Sequence, residues 1–179
     1  MARLSLILLA LALGPALHAQ EADRAIRKGN AAYEKGDTQD AIRSYSKAGK
    51  DERGIFNMGN AFYRQDSFPS SQQAFENAAS MAKGTDAQAR AYHNLGNTWM
   101  QQGKFEEAVN AYKEALKRQP SDNDTRYNLA YAQKKLEQQK QKKQNKDNKD
   151  QNKQGQDKKD QQQQGKNGQN KDQKDKQDQ

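Results

Sequence analysis

Asparagine side chains recur at a fixed spacing in this chain and could bind another polypeptide. Asn57 and Asn60 are three residues apart, and the same spacing recurs 37 residues later, so each pair shares one face of a helix. A primary amide offers two donor hydrogens and an acceptor oxygen, which complement the N–H and C=O groups of an extended peptide. The pattern therefore predicts a surface that binds main-chain groups. The asparagines concerned are Asn30, Asn57, Asn60, Asn94, Asn97 and Asn128.

Charged and aromatic residues accompany the asparagines on the same helices. Arg53 and Arg90 each precede an asparagine by four residues, and a guanidinium provides a planar fork suited to a carboxylate. His93 is expected to make a polar contact on this face. A structural alternative is that the asparagines bond to neighbouring helices and only hold an interface together. The other candidate binding residues are aromatic, namely Phe56, Tyr63 and Tyr127.

The chemistry of a catalytic or metal site is missing from the sequence. The chain has no cysteine and only two histidines, of which His93 alone follows the N-terminal apolar segment. Neither a histidine pair nor a nucleophile–histidine triad can be assembled from this set. Gly96 and Asn97 lie inside a helical pattern and not after a strand, so they do not form a phosphate loop. We therefore expect no enzyme activity, no cofactor and no metal.

A repeated helical hairpin must position this face. The segment Ala89–Pro120 carries apolar residues at three- and four-residue steps on both sides of a glycine-centred break, which predicts two amphipathic helices. Related patterns place the start of the unit near Ala22, Glu52 and Ala89, and a helix from about Asp122 closes the array. Self-similarity near a period of about 34 residues predicts an all-α solenoid of stacked hairpins.

These residues resemble the tetratricopeptide repeat (TPR) family over about residues 22–136. The resemblance implies a right-handed superhelix of antiparallel helix pairs, whose first helices line a concave groove for an extended peptide or a partner's helix. The residues that carry it are Leu95, Gly96, Trp99, Gly103, Ala108, Tyr112, Ala115 and Pro120.

Some members of that family clamp a C-terminal carboxylate, and this chain matches their pattern only in part. The residues on or near clamp positions are Asn30, Asn57, Arg90 and Asn94. Ile26, however, stands where those members carry a lysine, and Asn94 replaces a basic residue. The resemblance therefore favours a groove that grips backbone amides, with aromatic contacts beside them.

The two ends of the chain differ from the middle. Met1–Ala19 has one early arginine, an apolar run and then small residues, which is the layout of a secretory signal peptide cleaved after Ala19. An uncleaved anchor is the alternative, although its uninterrupted apolar run of about ten residues is short for the roughly 20 that a bilayer span needs. The mature protein is therefore expected to be exported, without a membrane span.

The C-terminal segment is polar throughout. From Glu137 onward it has no aliphatic or aromatic residue, and its 12 Lys and 7 Asp after position 137 supply +5 of the formal charge of +8. Such a composition predicts disorder after a helix that extends to about Lys143. Because the basic excess belongs mainly to this tail, we expect no specific nucleic-acid partner. The expected organisation is a signal peptide at 1–19, a TPR domain at 20–137 with units at about 22–51, 52–85 and 89–122 and a capping helix at about 122–140, and a tail at 138–179.

The combination of features supports a second, narrower resemblance. A signal peptide, a short TPR array with an Asn-Leu-Gly-Asn helix at 94–97, Tyr-Asn-Leu-Ala at 127–130 and a Lys/Gln-rich end is similar to the BatC-like exported proteins of the Bacteroides aerotolerance operon. This resemblance implies a bacterial periplasmic adaptor whose partners are membrane-bound von Willebrand factor A domain proteins. The alternatives are a spacer whose basic tail binds an anionic envelope surface, and an accessory chaperone of an exported enzyme.

Overall fold

A computed structural model describes the backbone of residues 2–145 and the side chains of residues 18–145. These residues form helices joined by short turns, and no strand occurs among them. The predicted tail after residue 145 lies outside the described residues. The helices are α1 (Ala2–Glu34), α2 (Thr38–Ser46), α3 (Glu52–Arg64), α4 (Phe68–Met81), α5 (Thr85–Gln101), α6 (Phe105–Arg118) and α7 (123–145).

Consecutive helices pack as hairpins, and the hairpins stack. α1 packs on α2, α3 on α4 and α5 on α6, while α2 contacts α3 and α4 contacts α5. The first helices also touch one another, α1 with α3 and α3 with α5. The all-α helical-hairpin solenoid expected from the sequence is therefore confirmed.

Each hairpin turns through a residue in the left-handed backbone region. Gly36 and Gly103 have φ angles of 83° and 70°, and Asp66 occupies the same place in the second hairpin with φ 57°. Glycine adopts this conformation without steric cost, and aspartate is among the few other residues that tolerate it. The three turns are thus alike, although only two of them carry glycine.

Glycines on the first helices allow the aromatic residues of the second helices to lie close. A Cβ atom added at Gly96 would lie 2.5 Å from Cε1 of Tyr112, so no larger residue fits there without a shift. The first two hairpins repeat this contact between a glycine and an aromatic ring, and there too an added Cβ would lie less than 3.0 Å from the ring. The three pairs are Gly29 with Tyr45, Gly59 with Phe75, and Gly96 with Tyr112.

A long helix forms each end of the solenoid. α1 is continuous from Ala2 to Glu34, so the predicted signal segment and the first repeat share one helix. α7 extends to residue 145, close to the end near Lys143 that the sequence predicts. Glutamine and lysine are good helix formers, which accounts for this extension. Cleavage after Ala19 stays a prediction.

The described chain divides into two compact units at Lys134 and Lys135, within α7. The candidate site described below lies entirely in the first unit. None of the helices searched among the described residues has both the length and the apolar character needed to cross a bilayer.

Candidate functional site

The asparagines form three hydrogen-bonded pairs, each joining the first helices of successive repeats. Asn57 Nδ2 donates to Asn30 Oδ1 at 3.1 Å, which links α3 to α1. The equivalent bonds link α5 to α3 and α7 to α5. We call these six residues the asparagine ladder and each pair a rung. The outer two rungs are Asn30–Asn57 and Asn97–Asn128, and the middle rung is Asn60–Asn94, with N···O distances of 3.1, 3.2 and 3.0 Å.

Tyrosines from the second helices complete the outer two rungs. The hydroxyl of Tyr45 donates to Asn30 Oδ1 at 2.9 Å, and that of Tyr112 donates to Asn97 Oδ1 at 2.7 Å. Burial raises the pKa of the Tyr45 hydroxyl to about 12, and burial likewise raises the pKa of Tyr112. Both phenols therefore remain protonated donors at neutral pH. Phe75 occupies the same place in the second repeat and has no hydroxyl.

Every ladder residue keeps hydrogen-bonding capacity after these bonds are made. In each rung, the side-chain oxygen of an accepting asparagine takes one amide hydrogen of a donating asparagine. The accepting residues are Asn30, Asn60 and Asn97, and the donating residues are Asn57, Asn94 and Asn128. Within the described chain, no further protein partner takes the side-chain amide groups of the accepting residues or the side-chain oxygens of the donating residues. The face thus presents unused donors and acceptors side by side.

Three cavities lie along the ladder. The largest, about 220 Å³, has Phe56, Asn57 and Arg90 in its wall and alanines of α4 and α5 beside them. A second, of about 140 Å³, borders the first rung, and a third, of about 60 Å³, borders the middle rung. The surface is therefore a row of polar recesses with partly apolar walls.

The two arginines predicted for this face differ in their surroundings. Arg53 forms ion pairs with Asp23 at 2.7 Å and Asp51 at 2.6 Å. Its hydrogen bonds to these carboxylates, Asp51 first, raise the pKa of the guanidinium, and the same contact lowers the pKa of Asp51. Arg90 is exposed and has no such partner among the described residues. Arg90 is thus the better of the two for an incoming anion.

His93 is held in a network at the start of α7. Its Nδ1 lies 2.6 Å from Thr125 Oγ1, and the Thr125 hydroxyl donates to Asp122 Oδ2 at 2.6 Å. Since that hydroxyl gives its proton to Asp122, Nδ1 carries the proton donated to Thr125. Burial lowers the pKa of His93, while Asp122 and Asp124 oppose the shift. Its ring also lies edge-on to Tyr112, with centroids 5.9 Å apart.

The remaining predicted residues are spread along the array. Phe56 packs edge-on against Phe75, and Tyr63 accepts a hydrogen bond from Gln101 Nε2 at 3.1 Å. Tyr127 is 74% exposed. The described chain contains no cluster of three or more histidine, aspartate or glutamate residues that could hold a metal ion.

Sequence reasoning missed the residues that complete the ladder. Tyr45 and Tyr112 lie 15 residues after their asparagines, and Thr125 lies 32 residues after His93. The constant separation of 15 residues between asparagine and ring was a usable signal, because it recurs in all three units. The contact with Thr125 has no comparable pattern.

This geometry defines a helical-hairpin solenoid with a polar face formed by its first helices. Residues 89–122 match the family model described as Tetratricopeptide repeat. The search of the curated proteins gave no match.

Solved structures share the fold at low sequence identity. The first TPR of Spaghetti (RPAP3) bound to the HSP90 peptide SRMEEVD is 22% identical, with a TM-score of 0.61 over 65% of this chain and 94% of that one. The first TPR domain of human RPAP3 is 21% identical, with a TM-score of 0.62 over 68% and 96%. The TPR2AB domain of yeast Sti1 in a pHSP90 complex is 20% identical, with a TM-score of 0.63 over 68% and 50%. The likeness establishes a TPR-type fold.

Proposed function

We propose that this protein is a non-enzymatic adaptor that holds an extended segment of a protein partner against the asparagine ladder. The observation that carries the proposal is the ladder itself, with six asparagines from four successive first helices on one face. Their unused amide hydrogens and oxygens match the alternating donors and acceptors of an extended backbone. A single element of partner chain can follow the row from one repeat to the next.

Main-chain binding fits the face better than a clamp on a terminal carboxylate. Ile26 is buried in a small apolar cluster with Ala22 and Ala48, so the position offers no cation. Arg53 is already paired with two aspartates. Arg90, beside the largest cavity, supplies a single positive charge that favours an acidic side chain of the partner.

The structural neighbours support a peptide partner. Among the structures of similar fold, the Spaghetti domain is bound to an HSP90 peptide and the Sti1 domain is in a pHSP90 complex. A peptide that lies along the first helices also agrees with the positions of the cavities, because each cavity has ladder residues in its lining. We propose peptide binding of this kind for the present chain, but not HSP90 as its partner.

Export to the bacterial periplasm is part of the proposal and depends on the sequence of the first 19 residues. In that compartment, the similarity to BatC-like proteins suggests membrane-bound von Willebrand factor A domain proteins as partners in an aerotolerance-type complex. Intact-mass measurement of protein from the envelope fraction tests export. Loss of the segment before Gln20 is expected, and an uncut chain confined to the cytosol would contradict this part.

Selection of short random peptides on the full chain tests the binding function. We expect linear peptides whose affinity falls about three- to tenfold in Asn94→Ala, which is the effect of one lost hydrogen bond. Asn110→Ala is the matched control, because Asn110 is exposed on α6 and outside the ladder. Equal affinity of wild type and Asn94→Ala for every selected peptide, or failure to select any peptide, would overturn the proposal.

A further inference from the structure

The three repeats place an aromatic ring at equivalent positions next to the ladder. Each ring lies 16 residues after a glycine of the first helix and packs against it, and the asparagine concerned directly follows that glycine. In the first and third repeats the ring is a tyrosine whose hydroxyl donates to the asparagine oxygen. In the second repeat the ring is Phe75.

This difference leaves one acceptor of the middle rung incompletely used. Asn30 Oδ1 and Asn97 Oδ1 each accept two hydrogen bonds, one from tyrosine and one from asparagine. Asn60 Oδ1 accepts only from Asn94 within the described chain. A carbonyl oxygen has two lone pairs, so Asn60 has room for one more donor where its counterparts have none.

A cavity borders both Asn60 and Phe75. It measures about 60 Å³, which exceeds the roughly 10–15 Å³ that one water molecule needs by this measure. Its lining residues are Asn60, Tyr63, Phe75, Asn94 and Asn97.

The lining supplies both kinds of hydrogen-bonding group. Asn60 Oδ1 and Asn94 Oδ1 are acceptors with capacity left, and the Asn97 amide is a donor. The hydroxyl of Tyr63 accepts from Gln101, so its own proton is also available. A peptide unit carries an N–H donor and a C=O acceptor close together, so it can bond to both kinds of group in this lining.

We infer that this cavity is the subsite for one main-chain amide of the bound segment, and that Phe75 is the residue that keeps it open. The N–H of that amide donates to Asn60 Oδ1 in place of the phenol that the other repeats provide. The inference rests on the proposed function, since it names where the segment's backbone is gripped most closely. The middle rung should therefore select a peptide unit whose nitrogen carries a hydrogen. An N-methylated amide or the nitrogen of a proline would be excluded at that position.

The probe that tests the subsite is N-methylacetamide, a single peptide unit, compared with N,N-dimethylacetamide, which lacks the N–H. The readout is the NMR signals of the asparagine side-chain amides in the full chain. N-methylacetamide should shift the signals of Asn60 and Asn94 more than those of Asn30 and Asn128. N,N-dimethylacetamide should shift them at most about half as far. Equal shifts at all rungs, or equal effects of the two amides, would overturn the inference.

Phe75→Tyr supplies the missing hydroxyl, and Tyr112→Phe is the matched variant that removes one from the third repeat. In Phe75→Tyr the shifts at Asn60 should fall to the level of the outer rungs. In Tyr112→Phe they should persist at Asn60, and new shifts should arise at Asn97. A Phe75→Tyr protein that folds and still responds like wild type would contradict the role of Phe75.

Phe75→Tyr also separates this inference from the proposed function. Peptides selected on wild type should lose about threefold to tenfold in affinity for Phe75→Tyr and keep their affinity for Asn110→Ala, which lies outside the ladder. Selected peptides that bind Phe75→Tyr like wild type would leave the adaptor proposal standing and overturn the subsite. If N-methylacetamide discriminates as expected but no peptide is ever selected, the subsite stands and the adaptor proposal fails.

Discussion

The side-chain amide of Asn94 donates to Asn60 Oδ1 across 3.0 Å, and this bond joins the first helices of the second and third repeats. The same contact has two roles. It ties one repeat to the next, as the structural alternative for the asparagines required. It also fixes the two amides in an orientation that leaves the oxygen of Asn94 and the NH₂ group of Asn60 unused within the described chain.

Asn97→Ala should destabilise the protein more than Asn60→Ala does. Removing Asn97 leaves the buried Tyr112 hydroxyl without its acceptor and also ends the bond from Asn128. Removing Asn60 ends only one bond. We expect costs of about 2 and about 1 kcal/mol in the free energy of unfolding, measured by urea denaturation. Equal costs would show that the tyrosine bond adds nothing to stability.

Gly96→Ala should destabilise the third hairpin by overpacking it. The added Cβ would lie 2.5 Å from the ring of Tyr112, which is itself buried and cannot move freely. Overpacking of a core costs about 1 to 3 kcal/mol. Gly84→Ala is the control, because nothing lies within 4 Å of a Cβ at Gly84. Thermal melting of both variants checks the difference, and a neutral Gly96→Ala would contradict the close contact.

Thr125→Val should loosen the start of α7. The hydroxyl of Thr125 bonds Asp122 and His93 and is fully buried, so valine keeps the shape but leaves both partners unsatisfied. A loss of about 1 to 3 kcal/mol is expected. Thr125→Ser, which keeps the hydroxyl, should lose less. If hydrogen exchange of the α7 amides is the same in both variants, the network does not hold the helix.

The stability of the protein should fall as the pH drops below about 6.5, through His93. Burial lowers the pKa of His93 in the folded state, so the unfolded chain, with a pKa near 6.5, binds the proton more readily. The stabilisation is complete above about pH 6.5 and is lost as the pH falls towards the lower folded-state pKa.

His93→Gln provides the control for this pH dependence. The carboxylates with lowered pKa, among them Asp51 and Asp122, lose their protons at lower pH, below about 4. Urea unfolding between about pH 7 and pH 5 therefore isolates the histidine. The slope should largely disappear in His93→Gln. An unchanged slope would assign the effect to another group.

The sequence predicted the repeated part of the molecule well because each repeat confirms the next. The apolar pattern that recurs from about Ala22, Glu52 and Ala89 predicted the hairpins, and the asparagines three residues apart predicted the shared face. The rung partners were harder to foresee, because Asn57 and Asn30 are brought together only by the stacking of α1 and α3.

The long-range partners of Arg53 and His93 could not be predicted from the sequence. The fold brings Asp23, 30 residues away, into contact with Arg53. It also brings Thr125 and Tyr112 into contact with the ring of His93. Long-range pairs of this kind depend on the angle between repeats, which no local pattern encodes.

The most direct test of the adaptor is to observe the backbone of a bound segment. A peptide selected on the full chain and labelled with ¹⁵N would be studied by NMR in complex with the protein. The account predicts an extended peptide with intermolecular contacts to Asn60, Asn94 and Asn97, and slowed exchange of one backbone amide at the middle rung. A peptide that binds in helical form, or that contacts only the outer faces of α2, α4 and α6, would contradict it.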